Sequence, residues 1–147
     1  MNGMTLIVKR ITQLMMPSIF MLGIYVIVHG HLTPGGGFAG GVLIAGSVVL
    51  MVLAFGSEEA RSSALKWRAS LWESIGIFIF WFLAILGMIQ KGPFFANVIQ
   101  KLYPGSPGQL FSAGMIPLCN LAIGIEVAAA LFAIFITLAV MKTGEKQ

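Results

Sequence analysis

An all-α membrane protein of four transmembrane helices is the fold class that this sequence predicts, and three observations carry the prediction. Only 10% of the 147 residues are charged and 58% are hydrophobic, whereas a soluble domain carries roughly 25% charged residues to face water. The mean hydropathy is +0.94. The apolar residues gather into four runs, at about 11–28, 38–55, 71–90 and 115–141, each near the ~20 residues needed to cross a ~30 Å hydrocarbon core. These runs and their connections fill the chain. It therefore reads as a single integral membrane domain over 1–147, with no room for a soluble catalytic domain.

The first span, 11–28, is interrupted only by Pro17. Lys9 and Arg10 ahead of it resemble the start of a signal peptide, but no small-residue cleavage site follows, so the span is expected to be retained. A turn rich in histidine and glycine, 29–37, leads to the second span, 38–55, which Gly56 closes. Residues 57–69 are the most polar stretch and suit a short helix or loop at the headgroup level. Ser70 and Glu73 have the spacing of a capping box, which sets the start of the third span at about 71. Residues 91–114 form a loop with turn signals at Gly92-Pro93, Pro104-Gly105 and Pro107-Gly108. The fourth span follows, then a polar tail from Lys142.

Orientation comes from the basic residues. Lys9, Arg10, Arg61, Lys66, Arg68, Lys142 and Lys146 fall on one side, and only Lys91 and Lys101 on the other. Both termini are therefore expected in the cytoplasm. The same placement explains the net charge of +4 by membrane topology and not by a nucleic-acid partner. The lone Cys119 excludes an intramolecular disulfide.

The turn into the second span poses a packing question. Thr33 before Pro34 is a sensible helix start. Gly35, Gly36, Gly37, Gly40 and Gly41 follow, each costing roughly 1 kcal/mol against alanine inside a helix. Gly36/Gly40 and Gly37/Gly41 are overlapping G-x-x-x-G pairs, which let another helix approach closely, and Gly46 is expected to continue that small face. A phosphate cradle is the competing reading, but no P-loop lysine follows. His29 and His31 could bind a metal or titrate together. Two ligands are too few for a structural zinc site, so interfacial residues hydrogen-bonding the turn or a neighbouring subunit are the preferred reading, with no metal site.

Glu126 lies inside the fourth span with no basic residue within ten positions. A charge at that depth costs on the order of 3 kcal/mol, so such residues usually face an interior or a water-filled path. Its neighbours Ala122, Ala129 and Ala130 are small, which points Glu126 toward packed helices. It reads either as a carboxylate on or beside an ion path or as a lock between subunits. Asn120 and Pro117 in the same span read as a kink with a freed carbonyl.

The segment His29-Gly-His31-Leu-Thr33-Pro34-Gly35-Gly36-Gly37-Phe38-Ala39-Gly40-Gly41 resembles the hallmark of the MnhB-like family, one of the small membrane components of Mrp-type multi-subunit sodium/proton antiporters. The run Gly114-Met-Ile-Pro117-Leu-Cys-Asn120-Leu-Ala-Ile-Gly124-Ile-Glu126 is similar to the family's closing pattern. The resemblance covers nearly the whole chain. It implies a small membrane subunit that assembles with large proton-channel-like subunits and other small ones to exchange sodium for protons. It extends to the membrane arm of ferredoxin-linked complexes such as membrane-bound hydrogenases, where redox subunits supply the energy. It would place Pro34, Gly35, Gly36, Gly37, Phe38, Gly40 and Gly41 at an assembly or sodium-pathway position.

Three classes of function compete. One is an accessory antiporter subunit in a prokaryotic plasma membrane, and the second is a purely structural subunit. The third is a stand-alone four-helix exporter, which would be expected to carry a carboxylate in its first span, where this chain has none. No nucleophile, base and orienting group form a readable motif, so neither an enzyme nor a cofactor is expected.

Overall fold

The computed structural model describes residues 4–56, 63–102, 105–106, 108 and 112–144, with the side chains of 63–66 and 140–144 left aside. The helices are α1 (Leu6–Val28), α2 (Gly36–Phe55), α3 (Ser63–Ile89), α4 (Val98–Leu102) and α5 (Ile116–Gly144), and the described residues contain no strand. Four of them are long and apolar enough to cross a membrane: Leu6–Val28, Gly36–Phe55, Trp67–Ile89 and Ile116–Ala139. At 1.5 Å per residue the 20 residues of α2 span about 30 Å, the thickness of the hydrocarbon core.

The long helices pack in the order α1, α2, α5, α3, with α1 making a lesser contact to α5. α1 and α2 are antiparallel, and their far ends are tied by Met4 N–H donating to Ala54 O at 2.9 Å. α2 and α5 start at the same end of the bundle, because the residues before α2 meet Asn120 in the first turns of α5. The surface inverts that of a soluble protein. Leu14, Met21, Phe78 and Ile134 are all more than half exposed, while the buried residues include Gly23, Gly40, Ala45, Ser47, Ala54, Ala84 and Ala122. Without a hydrophobic drive between helices in lipid, close contact of small residues supplies the packing.

Several boundaries differ from the sequence expectation. α1 begins at Leu6 and not near 11, since nothing between Thr5 and Ile11 breaks a helix. Thr33 does not cap α2. Its Oγ1 donates to His29 O at 3.1 Å, closing the end of α1, and Gly35 takes the N-cap position with no side-chain bond. Ser70 and Glu73 form no capping box, because α3 is already helical from Ser63, and Ser70 O accepts instead from Ser74 Oγ at 2.9 Å. Residues 63–69, expected at the headgroup level, are therefore the opening turns of α3, whereas 57–62 lie outside the described residues. The 91–114 loop contains α4, and its turn signals at Pro104 and Pro107 fall on residues outside the described set, as do 145–147 of the tail.

Candidate functional site

The connection between α1 and α2 is a hydrogen-bonded knot. Leu32 and Thr33 N–H both donate to His29 O, at 2.8 and 3.0 Å. The His29 ring stacks on Tyr25, with centroids 4.2 Å apart, and its Nδ1 lies 3.1 Å from Tyr25 O. His31 is half-buried in the same turn. No three His, Cys, Asp or Glu side chains come together among the described residues.

The three consecutive glycines do different things. Gly35 has φ +142° and ψ −83°, and Gly36 has φ +78°, conformations that a side chain at either position would strain. Gly37 has a helical backbone, but a Cβ there would collide with the carbonyl oxygen of Asn120. Gly41, one turn on, would place a Cβ 2.8 Å from Gly124 O and 2.9 Å from Val127 Cβ. The Gly37–Gly41 edge of α2 thus touches the backbone of α5. Gly40 faces the other way, with its Cβ position 2.6 Å from Gly23 O on α1. Phe38 points outward, 65% exposed, and Pro34 is exposed. Gly46 leaves the seam. Nothing lies within 4 Å of its Cβ position, and buried Ala45 continues the stripe instead, four residues after Gly41 as helix geometry requires.

Asn120 stands where α1, α2 and α5 meet. Its Nδ2 is 2.9 Å from where a Cβ on Gly30 would sit, and its Oδ1 is 3.5 Å from the same point on Gly36. Nδ2 is buried with no hydrogen-bond partner among the described residues. Pro117 does not kink the span. It is the second residue of α5, in the first turn, where a missing N–H costs nothing.

Glu126 lies ten residues, about 15 Å, into α5. It packs against α3 through its backbone: a Cβ on Gly76 would stand 2.7 Å from Glu126 Cβ and 2.9 Å from Ala122 O. The residue is half-buried. Its carboxylate makes no hydrogen bond or ion pair among the described residues.

Sequence reasoning missed Gly23, Gly30 and Gly76, although an isolated glycine in an apolar span is itself a signal of close approach. It also missed Asn97. That side chain caps α4 by accepting from Gln100 N–H at 3.2 Å, accepts from Met115 N–H at 3.0 Å, and donates to Ala113 O at 2.9 Å. It sets the entry to α5.

Four helices of membrane-spanning length pack in series through glycine seams, with the carboxylate of Glu126 half-buried on α5. The chain belongs to the MnhB family: the model described as a domain related to the MnhB subunit of Na+/H+ antiporters matches residues 7–141. It is 36% identical over 131 residues to an uncharacterized protein of Methanocaldococcus jannaschii, covering 86% of this chain and 49% of that one. It is 33% identical over 92 residues to the putative antiporter subunit mnhB2 of Staphylococcus aureus, covering 62% of this chain and 64% of that one. Among solved structures it is similar to a chain of the membrane-bound sulfane sulfur reductase, an archaeal respiratory membrane complex. That similarity has a TM-score of 0.77 and 31% identity, and covers 91% of this chain and 57% of the other. The chain thus spans about half to under two thirds of the length of these relatives.

Proposed function

We propose that the chain is a small membrane subunit of a multi-subunit monovalent cation (sodium)/proton antiporter, holding neighbouring subunits and supporting or lining the sodium pathway. Beside family membership, the observation that carries this reading is the half-buried carboxylate of Glu126 at membrane depth, which has no hydrogen-bond or ion-pair partner among the described residues. Such a group costs about 2.5–3.5 kcal/mol if left to lipid. Its counterpart then belongs to another subunit or to a hydrated cation path. Asn120, with a buried donor at the three-helix junction, is the second polar group on this route. His29, His31, Pro34 and Phe38 form the outer contact for neighbouring subunits. Both termini lie in the cytoplasm of a prokaryote, with the chain in its plasma membrane. The partners are large proton-channel-like subunits and further small ones. The chain is one domain, needs no cofactor and has no catalytic site of its own.

A second reading is favoured by the similarity to a respiratory-complex chain. There the same subunit would sit in an antiporter-like membrane arm beside redox subunits of hydrogenase type, with a purely structural role.

Sodium-dependent proton exchange in everted vesicles tests the first reading. Removing the chain should abolish exchange, and Glu126→Gln should reduce it strongly while the complex still assembles. A complex that exchanges at the wild-type rate without the chain overturns the proposal. Full activity of Glu126→Gln reduces the carboxylate to a structural lock.

A further inference from the structure

Glu73 forms no cap, because α3 is already helical from Ser63, and its place in the fold gives it another use. It stands between Ala69 and Gly76, both buried on the face of α3 that packs against α5, while its neighbours Trp72 and Ser74 are exposed. Glu73 itself is half-buried and makes no hydrogen bond or ion pair among the described residues.

Its distance from Glu126 follows from the seam. A Cβ on Gly76 would stand 2.7 Å from Glu126 Cβ, and residues three apart on a helix have Cβ atoms about 5–6 Å apart. The Cβ atoms of Glu73 and Glu126 are therefore no more than about 9 Å apart. The two side chains also turn to the same side. With Gly76 facing α5, the helical repeat turns Glu73 about 60° one way and Trp72 and Arg68 the other. Trp72 and Arg68 line a groove on their side together with Ile125 and Ala128. Since Ile125 faces that groove, Glu126 next to it turns away from the groove and toward Glu73.

The pair lies deep in the bundle. Glu126 is ten residues from one end of the span Ile116–Ala139 and thirteen from the other, and Glu73 is held beside it. In sequence, α2 has no charged residue from Gly36 to Phe55, α5 has none but Glu126 from Ile116 to Met141, and α3 has none from Ser74 to Ile89. A second negative charge close by strengthens a carboxylate's attraction for positive charge, and at this depth water screens that effect little.

We propose that Glu73 is a positioning residue for Glu126, its negative charge strengthening the hold of Glu126 on the monovalent cation in transit. The inference rests on the proposed function, whose Glu126 route it extends by one residue. Gly76 serves the same end, since its missing side chain lets α3 bring Glu73 alongside Glu126.

The test is sodium-dependent proton exchange in everted vesicles, per assembled complex, over a range of sodium concentrations. Two unit charges about 9 Å apart at an effective dielectric constant of about 20 change binding roughly 20-fold. Glu73→Gln should therefore raise the half-saturating sodium concentration by roughly that factor, with a smaller change in the maximum rate. Glu73→Asp keeps the charge and should stay close to wild type. In a Glu126→Gln background, adding Glu73→Gln should change little. Unaltered sodium dependence of Glu73→Gln beside a defective Glu126→Gln overturns the role of Glu73 and leaves the proposed function standing. Full activity of Glu126→Gln overturns both. A defect in Glu73→Asp as large as in Glu73→Gln, or loss of the complex in either variant, marks a structural residue and also overturns the proposal.

Discussion

Adding one methyl group at Gly41 and, separately, one at Gly46 is expected to move stability in opposite directions, although both glycines lie on α2. Each change to alanine gains up to about 1 kcal/mol of helix propensity. At Gly46 nothing lies within 4 Å of the new methyl, so that gain stands alone. At Gly41 the methyl would sit 2.8 Å from Gly124 O and 2.9 Å from Val127 Cβ, short of an ordinary ~3.5–4.0 Å contact by about 0.6–1.2 Å. The obstructing atoms are a main-chain oxygen and a Cβ, neither of which rotates away. Overpacking of this kind costs about 1–3 kcal/mol. Because the propensity terms cancel between the variants, their difference isolates the overpacking. It should amount to roughly 5- to 150-fold in the folded-to-unfolded ratio. Titration with sodium dodecyl sulfate in mild detergent, followed by circular dichroism, measures it. Gly41→Ala should unfold at a lower detergent fraction than wild type or Gly46→Ala. Equal midpoints for the two variants would refute the seam as the source of α2–α5 packing.

Three further outcomes are expected. Gly35→Ala forces a side chain into φ +142°, a strain of about 1–3 kcal/mol, and should lower the yield of assembled complex on gel filtration with the four long helices retained. Asn97→Ala removes bonds to Gln100, Ala113 and Met115 and should speed proteolysis within 91–114 several-fold, leaving α1 and α2 protected. Gly76→Leu pushes α3 away from the Glu126 backbone and should impair exchange as severely as Glu126→Gln. Unchanged exchange would separate Gly76 from the carboxylate's role.

The four spans were legible because membrane crossing is a matter of length and apolarity, and both are written in one dimension. The facing of each helix was not. α2 and α5 are apolar all round, so no amphipathic period marks the buried side. Gly46 looked like part of the seam for that reason, and the distinction from Ala45 comes only from where α5 lies. Thr33 and Ser70 carried good capping chemistry, but the helices they were expected to start begin elsewhere, and their oxygens serve α1 and α3 instead. Pro117 suggested a kink until its place in the first turn of α5 was fixed. Asn97 was invisible, because its value lies in joining α4 to residues sixteen and eighteen positions away.

The most direct test of the account is affinity purification of the chain from its native membrane in mild detergent, with every co-purifying protein identified by mass spectrometry. The account predicts large antiporter-like membrane subunits in fixed ratio to this chain. If iron–sulfur or hydrogenase-type subunits accompany them, electron transfer drives the complex, as the second reading holds. Recovery of the chain alone or as a homodimer, from membranes in which it is folded, would contradict its role as a subunit.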